Sequence, residues 1–155
     1  MLTSYLYELS PTRFNNTIAN LEALIKQNAK KCNLLLATGT SGGLVVAALA
    51  AKMGVAWAYV RKGGVGDSHA SYDVEIAGLQ SPTVSIIFDG NPPSRANNKL
   101  NIVFIDDLVD TGTSYHKSKK VLKISLKQWG WQEEEIEFLG AALYHYEYFR
   151  CDEEI

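Results

Sequence analysis

Thiols are scarce in this chain: two cysteines, Cys32 and Cys151, stand far apart in 155 residues. Neither a cysteine metal cluster nor a disulfide framework follows from so few, and one bridge is the most they can form. That usage fits a reducing cytoplasm. Basic clusters are also rare, since fifteen Lys and Arg against seventeen Asp and Glu give a formal net charge of −2 and only the short "KSKK" stands out. Nucleic acid is therefore not the expected partner. Long apolar runs are missing too. "LVVAALAAKMGVAWAYV" is broken by Lys52 and Gly54, and "MLTSYLYELSPTRFNN" has neither the basic start nor the continuous apolar core of a secretory leader. The chain reads as soluble, with no membrane partner. No internal repeat or low-complexity segment occurs. No G-K-[ST] is present, and "GGVGDSH" misses the spacing of a dinucleotide-binding glycine motif, so both common nucleotide loops are excluded.

What is there suffices for one core. With 46% hydrophobic residues, residues 1–155 read as a single domain. Ser10 and Pro11 mark a helix start, and Phe14, Ile18, Leu21, Leu24 and Ile25 continue it at helical spacing as far as Lys30. "NLLLA" is a short buried strand that stops at "TGTSGG", and the Ala-rich "LVVAALAAKM" is a buried helix ending at Gly54. "VAWAYV" is β-prone and finishes at Arg61 and Lys62. Residues 63–100 read as a flexible Gly/Ser-rich loop, a hairpin of "YDVEI" and "TVSIIF", and a second loop. "NIVFID", a helix from about Thr113 to Gln128 and a last strand "EIEFLGAALYHY" complete the pass. Strands alternating with helices predict an α/β fold, a parallel sheet covered by helices that binds ligands at the carboxyl ends of its strands.

The densest chemistry is "NIVFIDDLVDTGTS". The apolar strand places Asp106 and Asp107 where it emerges, just ahead of a helix start near Thr113. Ionised carboxylates only accept hydrogen bonds, which suits two vicinal hydroxyls that both donate. Thr111, Gly112, Thr113 and Ser114 offer hydroxyls and backbone N–H groups at a helix N-terminus, where an anion is favoured. A diol and a phosphate one sugar ring apart describe a ribose 5-phosphate.

"VFIDDLVDTGTS" resembles the phosphoribosyl pyrophosphate signature of type I phosphoribosyltransferases. "LLLATGTSGGLVVAALAAKMGV" is similar to that family's pyrophosphate turn, with Thr38, Gly39, Thr40, Ser41 and Gly42 as the turn. "YVRK" matches a strand ending in basic residues, and "SHASYDVEIAG" the loop and return strand that follow, with His69 in the loop. The resemblance spans about Leu34 to Lys127 and implies transfer of ribose 5-phosphate from phosphoribosyl pyrophosphate to a nucleobase, with release of pyrophosphate. It implies catalytic parts for Asp106, Asp107, Asp110 and Lys62, and ligand contacts from Thr111–Ser114, Thr38–Gly42, Arg61 and His69. Mg²⁺ is the implied cofactor, reached by Asp106 and Asp107 through ribose hydroxyls or water. A homodimer, and a hood over the base that is small or built from residues 1–30, are further expectations.

The base is open between orotate and a 6-oxopurine. Asp110 resembles the 6-oxopurine acid, yet no Lys occurs in "EIEFLGAALYHYEYF" to meet a purine oxygen, and "RK" with "VEIAG" looks more like the orotate branch. Tyr144, Tyr146 and Arg150 are candidate base contacts. His116, His145, Trp57, Trp129 and Trp131 read as structural. Two other classes compete: a non-catalytic sensor of the same sugar, and a serine hydrolase in which "GTSGG" is a nucleophile elbow around Ser41.

Overall fold

The computed structural model describes residues 10–60, 84–87, 99–128 and 130–155. Helix α1 runs from Pro11 to Asn28 and strand β1 from Leu34 to Thr38. Helix α2 (Gly39–Met53) and strand β2 (Ala56–Val60) follow. Strand β3 (Val84–Ile87), strand β4 (Leu100–Asp106), helix α3 (Thr113–Gln128), strand β5 (Ile136–Leu143) and strand β6 (Tyr148–Cys151) complete the order. One short 3₁₀ turn, Glu133–Glu135, leads into β5, and another, Asp152–Glu154, follows β6.

Pro11 sits in the first turn of α1, where its fixed φ is already helical and its missing N–H costs nothing. Ser10 occupies the cap position in extended conformation, but its side chain makes no capping bond. The apolar stripe Ile18, Leu21 and Ile25 is buried, as the spacing predicts. α2 stops at Gly54, and α3 occupies the predicted span.

The six strands lie in the order β3-β2-β1-β4-β5-β6. β2, β1, β4 and β5 pair in parallel, whereas β3 and β6 are antiparallel edges. The expected parallel sheet is thus its centre. "TVSIIF" does supply a strand, β3, paired with β2; its expected hairpin partner "YDVEI" lies outside the described residues. β6 is a correction. The predicted last strand "EIEFLGAALYHY" ends at Leu143, turns over Tyr144–Glu147 with Glu147 left-handed (φ 54°), and returns along β5.

All five residues of β1 are buried, because both sheet faces are covered. Leu34 and Leu36 point to the α3 side with Phe104, Leu122 and Leu126. Leu35 and Ala37 point to the other, with Leu21 and Ile25 of α1 and Val46 and Leu49 of α2. Complete burial of one such leucine is worth roughly 1.5–3 kcal/mol, so the double-faced centre of the sheet is the main source of its stability. Of residues 1–30, expected to form a hood, 1–9 lie outside the described residues, and α1 commits its apolar stripe to the core. Its outer face reaches the β5–β6 turn through a 2.8 Å hydrogen bond from Asn20 Nδ2 to Glu147 Oε1. Among the described residues, no helix is long and apolar enough to cross a membrane.

Candidate functional site

The strand order reverses direction between β1 and β4. β1 continues to α2 on one face, and β4 continues to α3 on the other. A crevice opens at such a point beyond the carboxyl ends of the two strands. Ala37 pairs with Ile105, so the turn after Thr38 and the loop after Asp106 emerge side by side. The two motifs singled out in the sequence are neighbours because of this register.

The close approach of α2 to β4 depends on Gly42, which is buried. A Cβ there would lie 2.4 Å from the carbonyl oxygen of Ile105 and 2.9 Å from Ala37 Cβ. Thr38 is 2% exposed, and its hydroxyl donates to the Val60 carbonyl at 2.8 Å, which leaves its backbone as the part expected to face a ligand. That hydroxyl fastens β1 to β2 instead of facing a ligand. Gly39 (φ 65°) opens α2 directly after β1, so the expected Thr38–Gly42 turn is the end of the strand and the first turn of the helix.

A cleft of about 360 Å³ is lined by Phe104 and Asp106–Tyr115. Asp106, Asp107, Asp110, Thr111, Gly112, Thr113 and Ser114 are all in its wall, as the spacing predicts. The acid pair is held firmly. Asp106 Oδ1 accepts the Asp107 N–H at 2.9 Å, and Asp107 Oδ1 accepts the Leu108 N–H at 2.8 Å. Beyond the strand ends, the N–H groups of Tyr144 and His145 donate to the carbonyls of Asp106 and Asp107 at 3.1 and 2.9 Å. The β4–β5 ladder is thereby extended under the two acids.

Gly112 has φ 85°, a conformation that side-chain-bearing residues rarely adopt, and the chain there swings from the acid loop into α3. The hydroxyls of Thr111 and Thr113 are 2.9 Å apart, and the Thr113 N–H points at Thr111 Oγ1 at 3.4 Å. Donors thus gather at the positive end of a 16-residue helix. The lining holds three carboxylates and neither Lys nor Arg. A polyanion entering this cleft needs positive charge from a cation or from side chains elsewhere.

Arg61, Lys62 and His69 lie outside the described residues, and Thr40 and Ser41 are described only as backbone of α2. Among the described residues no group of three or more His, Cys, Asp or Glu is arranged to hold a metal. A hard cation that keeps most of its water and needs only one or two carboxylates is the kind that the Asp106–Asp107 pair fits. Trp131 is buried in the core on the α3 side of the sheet and Trp57 packs against the core on the opposite side, as expected of structural tryptophans, while Trp129 lies outside the described residues. His145 and Tyr146 form an edge-to-face pair with centroids 4.4 Å apart, and Tyr146 is 74% exposed.

Sequence reasoning missed Tyr115, which lines the cleft while being 1% exposed, with its ring edge-on to Phe104 at 5.3 Å. Its one available signal was helical spacing with Ser118 and Leu122 on the buried side of α3. It also missed Asp152, which accepts a 2.5 Å hydrogen bond from the Tyr115 hydroxyl. No local pattern could have supplied that contact. Burial first, and then the Asp152 carboxylate, push the Tyr115 phenol above its ordinary range, so it stays a donor.

The fold is similar to that of solved phosphoribosyltransferases. An orotate phosphoribosyltransferase from Aeropyrum pernix is similar with TM-score 0.53 at 20% identity, over 85% of this chain and 58% of that one. An orotate phosphoribosyltransferase from Francisella tularensis gives TM-score 0.53 at 17% identity, over 87% and 52%. An adenine phosphoribosyltransferase gives TM-score 0.54 at 17% identity, over 85% and 68%. This chain thus spans little more than half the length of the two orotate enzymes. No family model matches the sequence, and no curated protein does. None of these three similar structures is a hydrolase, and the side chain of Ser41 lies outside what the structure describes.

Proposed function

We propose that this protein is a Mg²⁺-dependent phosphoribosyltransferase that moves ribose 5-phosphate from phosphoribosyl pyrophosphate to orotate or a 6-oxopurine and releases pyrophosphate, working as a cytoplasmic homodimer. The observation that carries it is the meeting of the acid pair and the Thr111–Ser114 loop in one cleft, with the Thr38–Gly42 turn emerging beside it.

Asp106 and Asp107 accept the 2′- and 3′-hydroxyls, and their amide-fixed carboxylates hold the ring in one orientation. The 5′-phosphate takes the hydroxyls and N–H groups of Thr111–Ser114, and the backbone of the Thr38–Gly42 turn faces the diphosphate. Loss of pyrophosphate leaves positive charge on the anomeric carbon, and the acids beneath the ring favour that charge. Mg²⁺, when bound with the sugar diphosphate, neutralises the leaving group that a cleft lined by carboxylates would otherwise repel. Asp110, exposed on the same loop, exchanges a proton with the base. Arg61 and Lys62 contact the diphosphate, and His69 belongs to the loop that covers it.

Pyrophosphate release tests this with orotate, uracil, adenine, hypoxanthine, guanine and xanthine, each against a no-base control. Release with one base names the acceptor. Asp110→Asn is expected to keep sugar affinity and lose about 10²-fold or more in turnover. A sensor is the second reading, favoured by the absence of Lys from β5, and it predicts calorimetric binding of the sugar with no release from any base.

A further inference from the structure

A phosphate held by backbone N–H groups needs several of them aimed at once, and Gly112 gives the loop no side chain with which to restrain itself. The restraint comes from a distant part of the sequence. After β6, the 3₁₀ turn Asp152–Glu154 lies against the first turns of α3. Asp152 Oδ1 accepts the Tyr115 hydroxyl at 2.5 Å and also meets Lys119 Nζ at 2.6 Å. His116 Nε2 is 3.0 Å from the Ile155 oxygen. A Cβ on Gly112 would be 3.1 Å from Ile155 Cγ2, so that side chain closes over the glycine. The turn is itself pinned by Arg150, whose guanidinium donates to the Glu154 carbonyl at 2.6 Å. None of Asp152–Ile155 is in the cleft wall.

We infer that Asp152–Ile155 is a brace for the phosphate loop, which makes Asp152 and Ile155 positioning residues for the anion bound at Thr111–Ser114. The anion half of this inference rests on the proposed sugar site, whereas the brace itself does not. Tyr115 transmits the effect. It is the first buried residue of α3, it touches the cleft, and its hydroxyl is fixed from outside. Preorganising the loop spares the ligand the cost of ordering it, so loss of the brace weakens binding without removing a ligand contact.

The test uses the full chain in two measurements. Hydrogen exchange of the unliganded protein is followed at residues 112–116, with the β4 amides as internal reference. Calorimetry then measures affinity for ribose 5-phosphate and for Mg²⁺–phosphoribosyl pyrophosphate. Asp152→Ala and Ile155→Ala are each expected to speed exchange at 112–116 by about tenfold, leaving β4 unchanged, and to weaken both ligands about tenfold. Asp152→Asn keeps an oxygen for the Tyr115 hydroxyl and is expected to recover most of the affinity. Unchanged exchange at 112–116, or a rise shared equally by β4, overturns the brace. Faster exchange with wild-type affinity overturns its positioning role. If the wild type binds neither ligand while exchange responds at 112–116, the brace stands and the sugar site falls.

Discussion

Gly42→Ala probes the junction on which the crevice depends. The new Cβ would sit 2.4 Å from the Ile105 carbonyl oxygen, about 1 Å inside an ordinary carbon–oxygen contact. The obstacle cannot swing away. It is the backbone of a buried central strand one residue before Asp106, and the second contact, Ala37 Cβ at 2.9 Å, belongs to the neighbouring strand. Either the start of α2 lifts or the end of β4 moves, by about 1 Å. Overpacking of this kind costs about 1–3 kcal/mol. In a domain of this size the midpoint is expected to fall by roughly 4–8 °C for a cost of 2 kcal/mol. A displacement of that size beside reacting groups is expected to cost on the order of 10²-fold in kcat/KM. Thermal unfolding followed by circular dichroism measures the first effect and pyrophosphate release the second. Gly43→Ala is the control. Its Cβ meets the Tyr59 ring at 2.6 Å, a half-buried side chain that can rotate, so a smaller loss is expected. A Gly42→Ala protein with an unchanged midpoint would refute the packing argument.

Cys32 is buried at the foot of β1, and burial pushes its thiol up to about 12, so iodoacetamide at pH 8 is expected to modify it only after unfolding. Mass spectrometry checks this, and prompt labelling of Cys32 in the folded protein would contradict its placement. Glu133 is exposed, yet hydrogen bonds from Lys123 and Lys127 hold its carboxyl down to about 2. A depressed carboxyl stabilises the fold above its ordinary value of 4.5 and loses that contribution as pH falls toward 2. Carboxylate NMR is expected to show a midpoint well under 4.5 that rises in Lys123→Met or in high salt; an unmoved midpoint would exclude the lysines as its cause.

Much of this architecture is legible locally. β1, α2, β4 and α3 announce themselves because each apolar run is ended by a residue with a strong backbone preference, and the acids and hydroxyls of the site are contiguous within residues 106–114. β6 was not legible. The turn Tyr144–Glu147 contains no Gly, Pro or Asn, and aromatic residues continue through it, so the pattern reads as one strand where the chain doubles back. The place of the Thr38 side chain was not legible either. The sequence shows a hydroxyl beside a turn, and only the pairing of β1 with β2 shows the carbonyl that takes it. Asp152 and Tyr115 are 37 residues apart, a contact made by the path of β5 and β6 and by no periodicity.

The central claim is that the cleft between β4 and α3 holds a ribose 5-phosphate through Asp106 and Asp107. Calorimetric titration of phosphoribosyl pyrophosphate with Mg²⁺ into the wild type and into the Asp106→Asn/Asp107→Asn double variant tests it most directly. Both acids lie at the crevice and outside the core, so the variant is expected to fold with the wild-type circular dichroism spectrum and to lose sugar binding altogether. A folded double variant that binds the sugar with wild-type affinity would contradict the account.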